Sequence, residues 1–253
     1  MMKQSPTELL KKNNSTIDKV STLDALILML DDQKIAIEVI NTQLKKFNEI
    51  INMLIKHFKT NSSGRLIYCG SGTSARIGVQ DGVELFPTFG WAKSKVDFVI
   101  AGGTKALTSS VENSEDDKIA AKKMIKKLKI NSRDVVIGLA ASGNTPFTYE
   151  ALKTAKELNA KIIVISNNPN GLMCNLSRYK IILDTKGEVV AGSTRLKAAT
   201  AQKISLNLIS TILMTKLGYV KNGYMINLVP NNTKLRNRKK IILTKLKELE
   251  EKI

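Results

Sequence analysis

Cysteine is scarce in this chain: there are two, Cys69 and Cys174, far apart and each set among apolar neighbours. That excludes a disulfide framework and any cysteine-based metal-ligand spacing, and it suits a reducing compartment. Histidine occurs once, as His57, beside an apolar stretch and away from every polar loop, so a surface or core-edge role is expected rather than general-base work. No apolar run approaches the roughly 20 residues of a membrane span. The opening "MMKQSPTELLKKNN" has no apolar core of signal-peptide length. A cytoplasmic protein with no membrane partner is the expectation.

Aromatics are also few, at 5% of residues, and that shortage bears on the charge. Forty Lys and Arg against 22 Asp and Glu give a formal +18, enough to raise nucleic acid as a partner. Yet the lysines are scattered over helix faces such as "KKMIKKLK" (122–129), with no aromatics interleaved as a stacking surface. The charge therefore reads as solvated helix faces that attract small anions, not as a nucleic-acid site.

What is present is a core. With 253 residues and 43% hydrophobic content, the chain can bury one large domain with appendages. Five apolar runs, "RLIYCG" (65–70), "VDFVIAGG" (96–103), "DVVIGLAAS" (134–142), "KIIVISNN" (161–168) and "KIILDT" (180–185), read as buried strands. They are continuously apolar, and the segments between them are long enough for crossover helices. This predicts an α/β fold with a doubly wound, five-stranded parallel sheet. Ahead of it, Ala36, Ile40, Leu44, Phe47, Ile51, Leu54 and Phe58 recur at helical spacing and predict one apolar stripe, packed on the sheet or on a second subunit. After it, residues 193–218 read as one long buried helix closed by Gly218, and a charged, helix-prone tail follows from about Asn231.

Ligands of open parallel sheets bind beyond the carboxyl ends of the strands. Three loops there are rich in Gly, Ser and Thr: "GSGTSAR" (70–76), "ASGNTPF" (141–147) and "AGSTRLK" (191–197). Hydroxyls and helix N-terminal amides bond phosphate oxygens, and glycine admits close approach, although any single loop of this kind caps a helix more often than it binds a ligand. The first loop is not GxGxxG, because Arg76 stands where the third glycine would be, and GxxxxGK[ST] is absent. Dinucleotides and nucleoside triphosphates are thereby disfavoured.

The segments "GRLIYCGSGTSARIG", "PTFG", "IAGGTKAL", "VENSEDD", "DVVIGLAASGNTPF", "GSTRLKAATAQK" and "LNLISTILMTKLG" resemble the N-acetylmuramic acid 6-phosphate etherases of the sugar isomerase (SIS) superfamily, in the same order from about residue 5 to 238. The resemblance implies a flavodoxin-type strand order, with an N-terminal helical region over 1–60, a SIS phosphosugar-binding domain over 61–230 and a charged helical tail over 231–253. Typical members continue into a further helical segment beyond that tail. It implies a homodimer without metal or organic cofactor that cleaves the lactyl ether of its substrate to N-acetylglucosamine 6-phosphate and D-lactate, by elimination and hydration. Two alternatives of other classes stay open: a phosphosugar-binding regulator, as in the glucokinase regulatory protein, and an aldose-ketose isomerase.

Such chemistry needs a base at carbon 2 and an acid for the departing lactate. Glu84 matches the family's proton donor, and its neighbours Val83, Leu85, Phe86 and Pro87 predict desolvation that keeps the carboxyl protonated. Glu115 matches the second carboxylate; Glu112 lies close enough to be a candidate, and Ser114 with its following acids is also a good helix start. Ser71, Gly72, Thr73, Ser74, Ser142, Gly143, Asn144 and Thr145 are the expected phosphate or sugar contacts, with Ser193, Thr194 and Lys197 as a second group. Departures from the family pattern are Ala75 and Ala199 for glycine, Asn144 for arginine, and "VELFP" for Ser-Glu-Cys-Pro-Pro.

Overall fold

The five apolar runs become β1 (Leu66–Gly70), β2 (Val96–Ile100), β3 (Val135–Ala140), β4 (Lys161–Ser166) and β5 (Lys180–Ile182). The computed structural model describes residues 6–9 and 16–250. Residues 1–5, 10–15 and 251–253, parts of the expected helical region and tail, lie outside the described residues. All strands pair in parallel in the order β2-β1-β3-β4-β5, the flavodoxin-type order expected.

Successive strand residues point to opposite faces, and each face is covered by helices. Leu66, Tyr68, Val135, Ile137, Leu139, Ile163 and Ile165 pack on one side with α1 (Thr22–Thr42), α2 (Leu44–Thr60), α3 (Gly72–Phe89) and α6 (Lys197–Lys216). Ile67, Cys69, Val99, Val136, Ile162 and Val164 pack on the other with α4 (Lys118–Lys127) and α5 (Pro146–Glu157). Both faces are buried, which is why the runs read as continuously apolar. Both cysteines are buried and unpaired.

The expected N-terminal stripe is split. The helix breaks at Gln43, whose backbone (φ −103°, ψ 2°) leaves the α-helical region, and Leu44 at the new start is 53% exposed. Phe47, Ile51, Leu54 and Phe58 of α2 are buried as expected, as are Ala36 and Ile40 of α1. His57 is buried at the core edge, with Nε2 2.8 Å from the Arg133 carbonyl.

The tail forms α7 (Thr233–Glu250), preceded by a small hairpin of β6 (Val220–Lys221) and β7 (Tyr224–Met225). Ile242 and Leu246 close a satellite cluster on Leu228, while Ile241, Leu243 and Leu249 stay exposed. No helix among the described residues is long and apolar enough to cross a membrane.

Two polar networks, one buried and one partly exposed, tie the elements around the sheet. Asp81 of α3 accepts hydrogen bonds from Tyr68 Oη (2.8 Å), Asn207 Nδ2 (2.8 Å) and Ser210 Oγ (3.0 Å), tying α3 to β1 and α6. Burial and the Asp81 charge push the Tyr68 phenol well up, so it remains a donor. At the opposite end of the sheet, Arg65 bridges Asp134 (2.7 Å) and Asp97 (3.0 Å) across the starts of β1, β2 and β3.

Candidate active site

In this strand order β1 and β3 are neighbours whose connections leave in opposite directions, so the loops after them open a crevice at the carboxyl edge. The crevice is a cleft of about 400 Å³, within the range of small-molecule sites. From the first loop Ser71, Gly72, Thr73 and Ser74 line it; from the second, Ser142 and Thr145; from the third, Thr194. The three loops therefore converge as the sequence predicts.

The second loop is built for close approach. Gly143 has φ +67°, and a Cβ there would lie 2.6 Å from Ser166 Oγ and 2.8 Å from Gly171 Cα, so the turn needs glycine. Thr145 then precedes Pro146 at the start of α5, where a missing N–H is harmless. Asn144 does not line the cleft: its Oδ1 turns away to accept from Leu172 N at 2.8 Å.

Glu115 enters the cleft wall from the loop before α4. Its Oε1 accepts a 2.7 Å hydrogen bond from Ser71 Oγ, and its carbonyl accepts from Phe147 N at 2.8 Å. Glu115, itself exposed, is thus tied to the first loop by its carboxylate and to the second by its backbone. Glu112 is exposed and is not among the lining residues. The helix start expected at Ser114 lies instead at Asp117, whose carboxylate caps Ala120 N at 2.8 Å, while Ser114 Oγ donates to the Val111 carbonyl.

Glu84 is not in this cleft. It is exposed on α3, twelve residues past Gly72, or about 18 Å along the helix axis. The desolvation expected from its apolar neighbours does not occur. Consecutive helical residues point about 100° apart, so Leu85 turns into the core while Val83 and Glu84 face outward. Val83, Phe86 and Pro87 line a separate apolar cleft of about 440 Å³.

Lys197 is also elsewhere. It is fully buried at the start of α6, with Nζ 2.8 Å from Asp32 Oδ1 of α1 and bonded to the Gly187 carbonyl. Beside it Glu188 caps α6, accepting from Lys197 N (3.2 Å) and Ala198 N (2.9 Å). Burial pushes the Glu188 carboxyl up, against the opposing pull of those two N–H groups and the Lys197 charge. Together these groups fix the frame on which Thr194 sits; Ser193 and Gly143 contribute backbone rather than cleft wall.

Glu8, Arg76 and Ser110 line the cleft and were not expected there. Glu8 sits on a short 3-10 turn, Pro6–Glu8, docked against the loop before α6: Thr7 is buried and its carbonyl accepts from Gly192 N. Gly187 and Gly192 admit that docking, because Cβ atoms would lie 2.1 Å from the Leu9 carbonyl and 2.8 Å from Glu8 Oε2. No periodicity marks such a long-range contact. Arg76 was visible as the residue replacing a glycine, without a role. Among the described residues no cluster of His, Cys, Asp and Glu suits a metal.

Comparison with known proteins accords with this arrangement. The profile of the glucokinase regulatory protein N-terminal SIS domain matches residues 46–156, and that of the SIS domain matches 104–212. A phosphosugar isomerase homologue involved in capsule formation from Bacteroides fragilis superposes with a TM-score of 0.61 over 83% of this chain and 98% of its own, at 16% identity. A phosphoheptose isomerase from Francisella tularensis gives 0.58 over 79% and 100%, at 18% identity. These share the fold. The N-acetylmuramic acid 6-phosphate etherase of Mycoplasma mycoides subsp. mycoides is 40% identical over 98% of this chain and 81% of its own length. That of Lactococcus lactis subsp. lactis is 42% identical over 92% and 78%. With identity of this order over nearly the whole chain, the chain belongs to the N-acetylmuramic acid 6-phosphate etherase family.

Proposed function

We infer that this protein is a carbon-oxygen lyase of amino-sugar metabolism. It cleaves the D-lactyl ether of N-acetylmuramic acid 6-phosphate, and with water gives N-acetylglucosamine 6-phosphate and D-lactate. The observation that carries the reading is Glu115, fixed by Ser71 at the carboxyl edge of the sheet among the loops that would bind the phosphosugar. In the open-chain aldehyde the proton on carbon 2 is acidified by the carbonyl. Glu115 removes it, the carbon 3–oxygen bond breaks, lactate leaves with a proton from the acid, and water adds back at carbon 3. Hydroxyls of Ser71, Thr73, Ser74, Ser142, Thr145 and Thr194, with the backbone at Gly72 and Gly143, hold the sugar phosphate.

Glu84 takes the acid's role through a homodimer. Its exposure and its distance from the cleft of its own chain suit a carboxylate delivered to a second copy. Residues 61–230 form the phosphosugar-binding domain, with the helices of 1–60 and the tail of 231–253 as appendages, and the enzyme works in the cytoplasm. Asn144, Ser193 and Lys197 act by shaping the loops around the ligand.

The test is incubation with N-acetylmuramic acid 6-phosphate in oxygen-18 water, followed by lactate assay and mass spectrometry of the sugar. Lactate with heavy oxygen at carbon 3 of the sugar, and deuterium at carbon 2 when the solvent is deuterium oxide, establishes elimination and hydration. The glucokinase regulatory protein profile over residues 46–156 favours a second reading, a phosphosugar-binding regulator, which tight binding without lactate release would select.

A further inference from the structure

The substrate of the proposed reaction carries two anions, the 6-phosphate and the carboxylate of the lactyl group. The three hydroxyl-rich loops account for the first. Arg76 is the one cation among the described residues that line the cleft. It lies one turn into α3, four residues after Gly72, so the two share a helix face. Its Nε donates to the Ala106 carbonyl at 3.0 Å and its Nη2 to the Ser109 carbonyl at 3.4 Å. Both acceptors are neutral, and among the described residues no carboxylate pairs with the guanidinium. The two carbonyls fix its plane and leave Nη1 unbonded among the described residues, at a cleft wall that also carries the carboxylates of Glu8 and Glu115.

Position selects the anion. Glu115 Oε1 lies beside Gly72, where a Cβ would be 3.4 Å from it, and Arg76 follows by about one helical turn, or 5.4 Å. In the substrate the carbon attacked by the base neighbours carbon 3, and the lactyl carboxylate is separated from carbon 3 by the ether oxygen and one carbon. A base at carbon 2 therefore leaves that carboxylate within reach of a cation one turn away. Guanidinium is the donor suited to a planar carboxylate.

We propose that Arg76 binds the lactyl carboxylate and so distinguishes N-acetylmuramic acid 6-phosphate from phosphosugars that lack a lactyl group. This rests on the lyase reading of the same cleft. The product N-acetylglucosamine 6-phosphate keeps the phosphate and loses the lactyl carboxylate, so it is the control ligand.

The experiment measures kcat and KM for lactate release, and the Kd of N-acetylglucosamine 6-phosphate, in the wild type, Arg76→Gln and Arg76→Lys. Arg76→Gln should raise KM roughly 10- to 100-fold, the size of a charge-assisted pair, with a smaller change in kcat. The product Kd should stay within about threefold, which also shows that the variant is folded, and Arg76→Lys should fall between. Equal weakening toward both ligands would reassign Arg76 to the phosphate or to holding the 106–110 segment, and an unchanged KM would also overturn the proposal. Absence of lactate release by the wild type would instead defeat the lyase reading, and this inference with it.

Discussion

Ser71 Oγ donates a 2.7 Å hydrogen bond to Glu115 Oε1 across two loops that are far apart in sequence. Ser71 ends the first strand's loop with an extended backbone (φ −131°, ψ 156°), and the left-handed Gly72 that follows turns the chain into α3. The carboxylate is thereby oriented before any ligand arrives, which is what a base for a carbon acid requires.

Glu115→Gln keeps the shape and the Ser71 contact while removing the base. Lactate release should fall about 10²- to 10⁴-fold, with product binding retained, as isothermal titration would show. Ser71→Ala should have a smaller effect, about fivefold for one lost hydrogen bond. An active Glu115→Gln would remove Glu115 from the mechanism.

Lys197 and Asp32 form a buried ion pair between α6 and α1. Removing one partner strands a charge in the interior, so Lys197→Met should lower unfolding free energy by about 3–5 kcal/mol, read from urea denaturation. Replacing both partners by apolar residues should restore most of that. A Lys197→Met protein of normal stability that has lost phosphosugar affinity would return Lys197 to the ligand.

How much of this the sequence discloses depends on the range of the interactions. The strands were legible because both sheet faces are covered, which makes each run apolar throughout; their order came from the family resemblance. The convergence of the three loops followed from strand order alone. Glu84 was misjudged in its surroundings because "VELFP" is apolar in sequence while a helix scatters those neighbours around its axis. Lys197 sat in a loop that reads as phosphate-binding, and nothing local signals that Asp32, from a helix 165 residues earlier, takes its charge. Glu8 was hidden for the same reason.

His57 gives a pH prediction free of competing histidines, since the chain has one. Burial lowers its pKa, against the raising effect of the Arg133 carbonyl. The neutral ring fits the geometry, with Nε2 facing that carbonyl and Nδ1 facing Asn61 Nδ2 at 3.5 Å. A group whose folded pKa is depressed binds protons more readily when unfolded. Stability should therefore be full above the unfolded value of about 6.5 and fall as pH drops below it toward the folded pKa. Denaturation midpoints at pH 7.5 and 5.5 check this, and His57→Gln should flatten the difference; an equal slope in the variant would assign it to other groups.

The separation of Glu84 from Glu115 makes the strongest prediction about assembly. If each site takes Glu115 from one copy and Glu84 from the other, Glu84→Gln and Glu115→Gln are each inactive, because every site in either homodimer lacks one acid. Mixing them and allowing subunits to exchange produces heterodimers in which one site has lost both acids and the other has kept both. Random pairing puts half of the molecules in that form, so about a quarter of wild-type activity should return. Were both carboxylates drawn from the same chain, every site of the mixture would still lack one of them, and no activity would return at any mixing ratio. Recovery, measured as lactate release against total protein, therefore decides whether the exposed Glu84 completes a neighbour's cleft.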